Sequence, residues 1–225
     1  MTKVLFVIGS PRGKKSSSFS FGKYLEEKVQ GKGLETSTLI LRNQLSSDEK
    51  ISQMLTEINN SDVIILIAPL YDDCQPYIVT KLMELIAAKK MNLEGKRFIP
   101  IVNCGLSEAV HITAVSIPIY QKFAENVGFK WGGSLAIQAG EMFRGRYGKQ
   151  LHELGKEANI LRGVLDDLAD AISTDSDIPD MAPKILPGMF YWKILQKPFA
   201  KMNTSGWRKA AKEKGEDPDA RPYLD

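Results

Sequence analysis

Ten consecutive residues near the start of the chain, Gly9-Ser10-Pro11-Arg12-Gly13-Lys14-Lys15-Ser16-Ser17-Ser18, combine small hydroxyl side chains with three cations. They lie between an apolar run, Val4-Leu5-Phe6-Val7-Ile8, and a stretch with helical spacing. A loop that feeds a helix offers backbone N–H groups without intrahelical partners and a partial positive charge, which is what a phosphate dianion requires. Ser10, Ser16, Ser17 and Ser18 add hydroxyl donors, and the Arg12 guanidinium can grip two oxygens at once. The spacing matches neither GxxxxGK[ST] nor GxGxxG, which disfavours an NTPase loop and a dinucleotide loop. Ser/Gly clusters also make plain capped turns, so the loop alone supports either reading. Its place after the first buried strand favours the phosphate.

Two further loops carry groups suited to a flat ring. Pro69-Leu70-Tyr71-Asp72-Asp73-Cys74-Gln75-Pro76 follows the most hydrophobic run of the chain. Proline at each end stiffens it, and Tyr71 supplies an aromatic face with backbone donors and acceptors beside it. The plainer alternative is a rigid loop with Tyr71 packed on a helix. In Asn103-Cys104-Gly105-Leu106-Ser107-Glu108, Gly105 permits close backbone approach and Asn103 can both donate and accept. The two histidines, His111 and His152, lack metal-ligand spacing and read as surface or packing residues, with a minor substrate contact open to His111. Cys74 and Cys104 read as packing residues; two cysteines are too few for a disulfide framework or a cysteine-only cluster. No metal site is expected.

The elements that must position these loops alternate along the chain. Unbroken or alternating apolar runs predict strands at 4–8, 35–41, 63–68, 98–102 and 132–137. Helical spacing predicts helices over 19–29, 48–58, 78–88, 113–127 and 151–172. Strands alternating with helices imply an α/β fold: a doubly wound, five-stranded parallel sheet of order 2-1-3-4-5, with a switch point between strands 1 and 3. The three loops then fall together outside the carboxyl ends of the strands. A polar stretch at 174–177 followed by prolines sets the expected boundary: a ligand-binding domain over 1–174 and an extension over 175–225.

Composition narrows the setting. An apolar fraction of 43% is enough for a core, and no run approaches the roughly 20 apolar residues of a spanning helix. The amino terminus lacks the pattern of a signal peptide, so a cytoplasmic protein is expected. Net charge is only +3, yet Lys184 to Lys214 holds eight Lys/Arg against the single acidic Glu213. Ile185, Phe190, Tyr191, Trp192, Phe199 and Trp207 interleave with those cations. Such a helical extension reads as an arm packed over a neighbouring subunit or the active site, in preference to a segment lying on an anionic membrane. Nucleic acid is not expected as a partner, because no recognition motif accompanies the charge.

The Gly-Ser-Pro-Arg sequence with its serine cluster, the Pro-Leu-Tyr with its downstream proline, and the Asn-Cys-Gly with Glu108 together resemble the NAD(P)H-dependent FMN reductase and quinone reductase branch of the flavodoxin-like superfamily. The likeness covers about residues 3–172. It implies FMN as cofactor and NAD(P)H as co-substrate. It implies that Ser10, Arg12, Ser16, Ser17 and Ser18 surround the FMN phosphate, that Pro69, Leu70 and Tyr71 lie along the isoalloxazine, and that Asn103, Cys104 and Gly105 meet its far edge. It also implies a homodimer or homotetramer. The compact cysteine motif of the iron-sulfur relatives is absent. The expected activity is reduction of a quinone, flavin or other small electrophile by ping-pong hydride transfer, with Tyr71 as the catalytic residue beside the reacting ring. The alternative is a flavodoxin-type electron carrier with no substrate of its own. The acceptor, the choice of NADH or NADPH and the role of the extension are not legible in the residues.

Overall fold

The computed structural model describes residues 2–89, 91–105, 110, 112–140, 143, 150–182, 201, 204–206, 208, 209 and 211–219. His111, Leu106 to Glu108 and most of the basic, aromatic-rich segment from Lys184 lie outside the described residues. Contacts divide the chain into one unit over Met1–Ile185 and a second over Leu186–Asp225.

In the first unit, β1 (Lys3–Ile8), β2 (Glu35–Ile40), β3 (Val63–Pro69) and β4 (Arg97–Asn103) form a parallel sheet with β5 (Lys130–Trp131), β6 (Ser134–Ile137) and β7 (Asp180–Met181). The order is β2-β1-β3-β4-β6-β7, with β5 also pairing β4. The doubly wound order expected from the sequence is therefore present, in seven strands rather than five. The helices are α1 (Ser17–Gly31), α2 (Leu41–Gln44), α3 (Asp48–Asn59), α4 (Tyr77–Lys89), α5 (Ile117–Val127) and α6 (Asn159–Ser173).

The unbroken apolar runs are explained by burial on both faces of the sheet. Successive side chains point to opposite faces, so each central strand feeds two cores. Val4, Phe6, Ile8, Val63, Ile65, Ile67, Ile99 and Ile101 pack with Phe21, Leu25 and Val29 of α1 and Leu161, Leu165 and Leu168 of α6. Leu5, Val7, Ile64, Leu66, Phe98 and Val102 pack on the other face with Met54 and Ile58 of α3, Val79 and Leu82 of α4, and Tyr120 and Phe123 of α5. Each such aliphatic side chain contributes about 1.5–3 kcal/mol by leaving water, so the sheet is held mainly from its faces.

Three departures from the expected elements have local causes. The fifth strand is split by Gly132-Gly133. Gly133 sits at φ 87°, and a Cβ there would lie 2.1 Å from the Ile178 carbonyl oxygen, because the chain returning from α6 crosses at that point. The helix expected from Thr113 begins as a π-helical turn, Ile112–Ser116, before α5 starts with Pro118 in its first turn. The long helix expected over 151–172 is two 3-10 turns, Leu151–Glu153 and Lys156–Ala158, followed by α6. The stretch expected as a polar linker is held to the sheet. The buried Arg97 guanidinium donates to Asp175 Oδ1 at 2.7 Å and to the Ser176 carbonyl at 2.8 Å. Beyond it, Asp180 accepts from Gln121, Trp131 and Ser134. In the second unit, described residues between Lys201 and Glu213 are helical, and Arg208 forms a two-pronged pair with Asp219 at 2.9 and 2.5 Å. No described helix is long and apolar enough to cross a membrane.

Candidate functional site

The carboxyl ends of β1 and β3 lie at the switch point, since β1 passes to β2 on one side and pairs with β3 on the other. Ile8 pairs with Ile67, and Pro69 with Asn103, so the three loops leave the sheet at one level. Between them is a cleft of about 160 Å³ lined by Ser10, Arg12, Ser16, Ser17, Ser18, Pro69, Tyr71 and Asn103. Its volume suits a phosphate and the start of a chain rather than a whole drug-sized ligand.

The first loop is folded by its own serines. Ser16 caps α1: its hydroxyl donates to the Gly13 carbonyl at 2.7 Å and accepts from the Phe19 N–H at 3.1 Å. Ser10 Oγ accepts from the Arg12 N–H at 3.3 Å. Ser18 donates its hydroxyl proton across the cleft floor to Asn103 Oδ1 at 2.8 Å, fastening the first loop to β4. Ser17 differs. Its Oγ is buried and has no hydrogen-bond partner. The N–H groups of Ser17 and Ser18 belong to the first turn of a 15-residue helix, where no i−4 carbonyl is available. That turn contains no acidic residue. An orphaned hydroxyl, first-turn amides and the positive end of α1 thus converge on one cleft, and they fit a phosphate.

The second loop is a tight hairpin. The Tyr71 N–H donates to the Cys74 carbonyl at 2.8 Å, and the Cys74 N–H returns a bond to the Tyr71 carbonyl at 3.0 Å. Asp72 and Asp73 form the tip at φ 48° and 64°, a left-handed turn that short polar residues tolerate best. The Leu70 N–H donates to the Asn103 carbonyl at 2.8 Å, which locks the second loop to the third. Beneath the hairpin, Ser116 and Tyr120 are fully buried, and neither hydroxyl makes a well-formed hydrogen bond. Burial pushes the Tyr120 phenol well above the usual tyrosine range; the Cys74 thiol adds in the same direction, and the nearby Ser116 hydroxyl offsets it slightly.

Eight of the expected residues, from Ser10 to Asn103, meet at this cleft; Leu70, Cys104 and Gly105 do not line it. Leu70 packs against the core on the α3–α5 face. Cys104 is buried in that same core, its N–H donating to the Ile137 carbonyl and its carbonyl accepting from Gly140. Gly105 is exposed. Sequence reasoning passed over the supports: Ser20 Oγ accepts from the Leu151 N–H at 2.7 Å, and Gly140 lies so close that a Cβ there would be 3.1 Å from Asn103 Nδ2. The only sequence signal for Ser20 is its nearness to the serine cluster; nothing marks Gly140. Among the described residues no group of three His, Cys, Asp or Glu side chains is placed to hold a metal ion.

Solved structures share this architecture at low identity. The chain is 13% identical to an NADH:FMN oxidoreductase in its apo form, with 78% of this chain and 90% of that one covered and a TM-score of 0.60. It is 12% identical to an FMN-dependent NADH-azoreductase from Bacillus anthracis solved with FMN, covering 77% and 100% at a TM-score of 0.57. A Streptococcus pneumoniae flavodoxin is 14% identical, covering 77% and 99% at a TM-score of 0.54. At such identities these likenesses establish the flavodoxin-like fold. No curated protein matches the chain. A family model described as NADPH-dependent FMN reductase matches residues 2–126. That span contains every residue lining the cleft, and the chain belongs to the NADPH-dependent FMN reductase family.

Proposed function

We propose that the protein is an FMN-dependent NAD(P)H oxidoreductase that reduces a quinone, a flavin or another small electrophile. The observation that carries this reading is the buried, partnerless Ser17 hydroxyl in a cleft at the positive end of α1. Bound FMN would supply the redox chemistry, a two-electron exchange between NAD(P)H and the acceptor in ping-pong order. Each NAD(P)H with one proton then converts one quinone to one hydroquinone.

The chain's own residues bind and orient. Ser17 Oγ, the Ser10 hydroxyl and the amides of Ser17 and Ser18 hold the phosphate, with Arg12 adding charge at the rim. Ser16 and Ser18 act one step back, because their hydroxyl protons are committed to Gly13 and Asn103. Pro69 and Tyr71 wall the side where the ring lies. The N–H groups of Tyr71 and Cys74 are spent on each other's carbonyls and that of Leu70 on the Asn103 carbonyl. The hairpin tip at Asp72 therefore carries a backbone donor that can stabilise charge on a reduced ring. No side-chain acid or base is required. On the family resemblance the working unit is a cytoplasmic homodimer or homotetramer, which sedimentation would measure.

Steady-state oxidation of NADPH by the FMN-loaded protein, with a quinone and no protein partner, tests the reading. Turnover is the expected result. FMN uptake without turnover would point to an electron carrier, and failure to take up FMN would overturn the proposal.

A further inference from the structure

We infer that Ser18 and Asn103 form a hydroxyl-binding pair for the ribityl chain of the flavin, so that the site selects a flavin whose chain hydroxyls are intact. The inference rests on the flavin reading above and assigns a further part of the same cleft.

Both residues line the cleft, and both are buried, Ser18 at 1% and Asn103 at 6% exposed. The Ser18 hydroxyl donates to Asn103 Oδ1 at 2.8 Å. That bond fixes what each partner has left to offer. Ser18 Oγ keeps lone pairs that accept, while Asn103 keeps the protons of Nδ2, which donate to no described group. A phosphate dianion only accepts, so it is repelled by the Ser18 lone pairs. A chain hydroxyl both donates and accepts, and it satisfies the acceptor and the donor together. Position agrees with this chemistry. Ser18 stands in the first turn of α1, whose free amides fit the phosphate. The side chain bonded to it therefore meets the next part of the cofactor, the polyol that separates phosphate from ring. The cleft of about 160 Å³ has room for a phosphate and the start of that chain. Asn103 then sits near the phosphate end rather than at the far edge of the ring, where the family resemblance sets it.

The amide is also held from behind. Gly140 packs so closely that a Cβ there would lie 3.1 Å from Asn103 Nδ2 and 3.2 Å from Asn103 Cβ. This approach depends on the turn after β6. The Gly140 N–H donates to the Cys104 carbonyl at 2.7 Å, and the buried Ala139 is held at φ 53°, a left-handed conformation that disfavours any residue with a Cβ. On the other side the Asn103 carbonyl accepts from the Leu70 N–H at 2.8 Å. An amide clamped at its backbone and at its side-chain oxygen loses little freedom when a ligand arrives.

The test pairs two ligands with three variants in fluorescence titrations of the flavin-free protein. One ligand is FMN; the other is its phosphopentyl analogue, which keeps ring and phosphate but has hydrogen in place of every chain hydroxyl. Asn103→Ala should raise the Kd for FMN about three- to tenfold, the range for one neutral hydrogen bond, and leave the analogue within about twofold. Ser18→Ala, which keeps its backbone amide for the phosphate, should show the same one-sided loss and carries the test if Asn103→Ala does not fold. Ser17→Ala should weaken both ligands alike, because both carry the phosphate. Equal losses for the two ligands in Asn103→Ala and Ser18→Ala, or no loss for either, would overturn the inference while the flavin reading stands. Failure of the wild-type protein to bind FMN would overturn that reading and this one together.

Discussion

The four serines of the first loop have unequal tasks, and substitution should separate them. Of these four hydroxyls, Ser17→Ala removes the one that has no partner among the described residues. It should weaken FMN binding about 10- to 100-fold, the range for a hydrogen bond to a charged group, with little change in stability. Ser16→Ala removes the cap of α1 and should cost about 1 kcal/mol in urea unfolding before any ligand is added. Tyr120 offers a pH test. Its phenol is raised by burial, so the folded chain keeps a proton that the unfolded chain, titrating near 10.0, releases. Stability is therefore full below that pH and falls as pH rises through it, by up to about 1.4 kcal/mol per unit. Tyr120→Phe should flatten this alkaline slope in urea titrations at successive pH values. At neutral pH it should shift stability by less than about 1 kcal/mol, because the hydroxyl has no well-formed partner to lose.

At the level of elements, α1 matters most, because it carries the cleft at its first turn and packs along the sheet behind it. Gly22 sets how closely it lies: a Cβ there would come 2.7 Å from Ile8 Cδ1 and 2.8 Å from Ile67 Cδ1. Gly22→Ala should destabilise by about 1–3 kcal/mol through overpacking and weaken FMN binding by lifting the helix, both read from one ligand-dependent melting series. The central strands were legible in the sequence because the interiors of β1, β3 and β4, at 4–8, 63–68 and 98–102, are buried on both faces and are apolar throughout. The split at Gly132-Gly133, the strand at Asp180–Met181 and the π-helical start before α5 were not, because crossing chains and prolines decide them rather than hydrophobic spacing. Within the site, composition and order pointed to the loops, yet nothing in Ser16-Ser17-Ser18 tells which hydroxyl is spent on a carbonyl. That assignment depends on Gly13 and Asn103, 3 and 85 positions away from their respective partners. Leu70, Cys104 and Gly105 sit beside lining residues in sequence, but Leu70 and Cys104 are drawn into the core and Gly105 turns outward.

For the whole molecule, the decisive question is whether bound flavin is turned over by NAD(P)H or only shuttles electrons between proteins. The fold alone accommodates both, as a flavodoxin and an FMN-dependent azoreductase share it. The family match favours an enzyme that admits small molecules directly. The basic, aromatic-rich segment from Lys184 lies outside that argument, and removing residues 186–225 would show by FMN content and turnover whether it acts on the cleft. The central claim is most directly tested by the visible spectrum of the FMN-reconstituted protein under anaerobic conditions before and after one equivalent of NADPH. The account predicts a protein-bound flavin band that is bleached on addition and returns with menadione. A protein that takes up no FMN, or whose band is untouched by both NADPH and NADH, would contradict it.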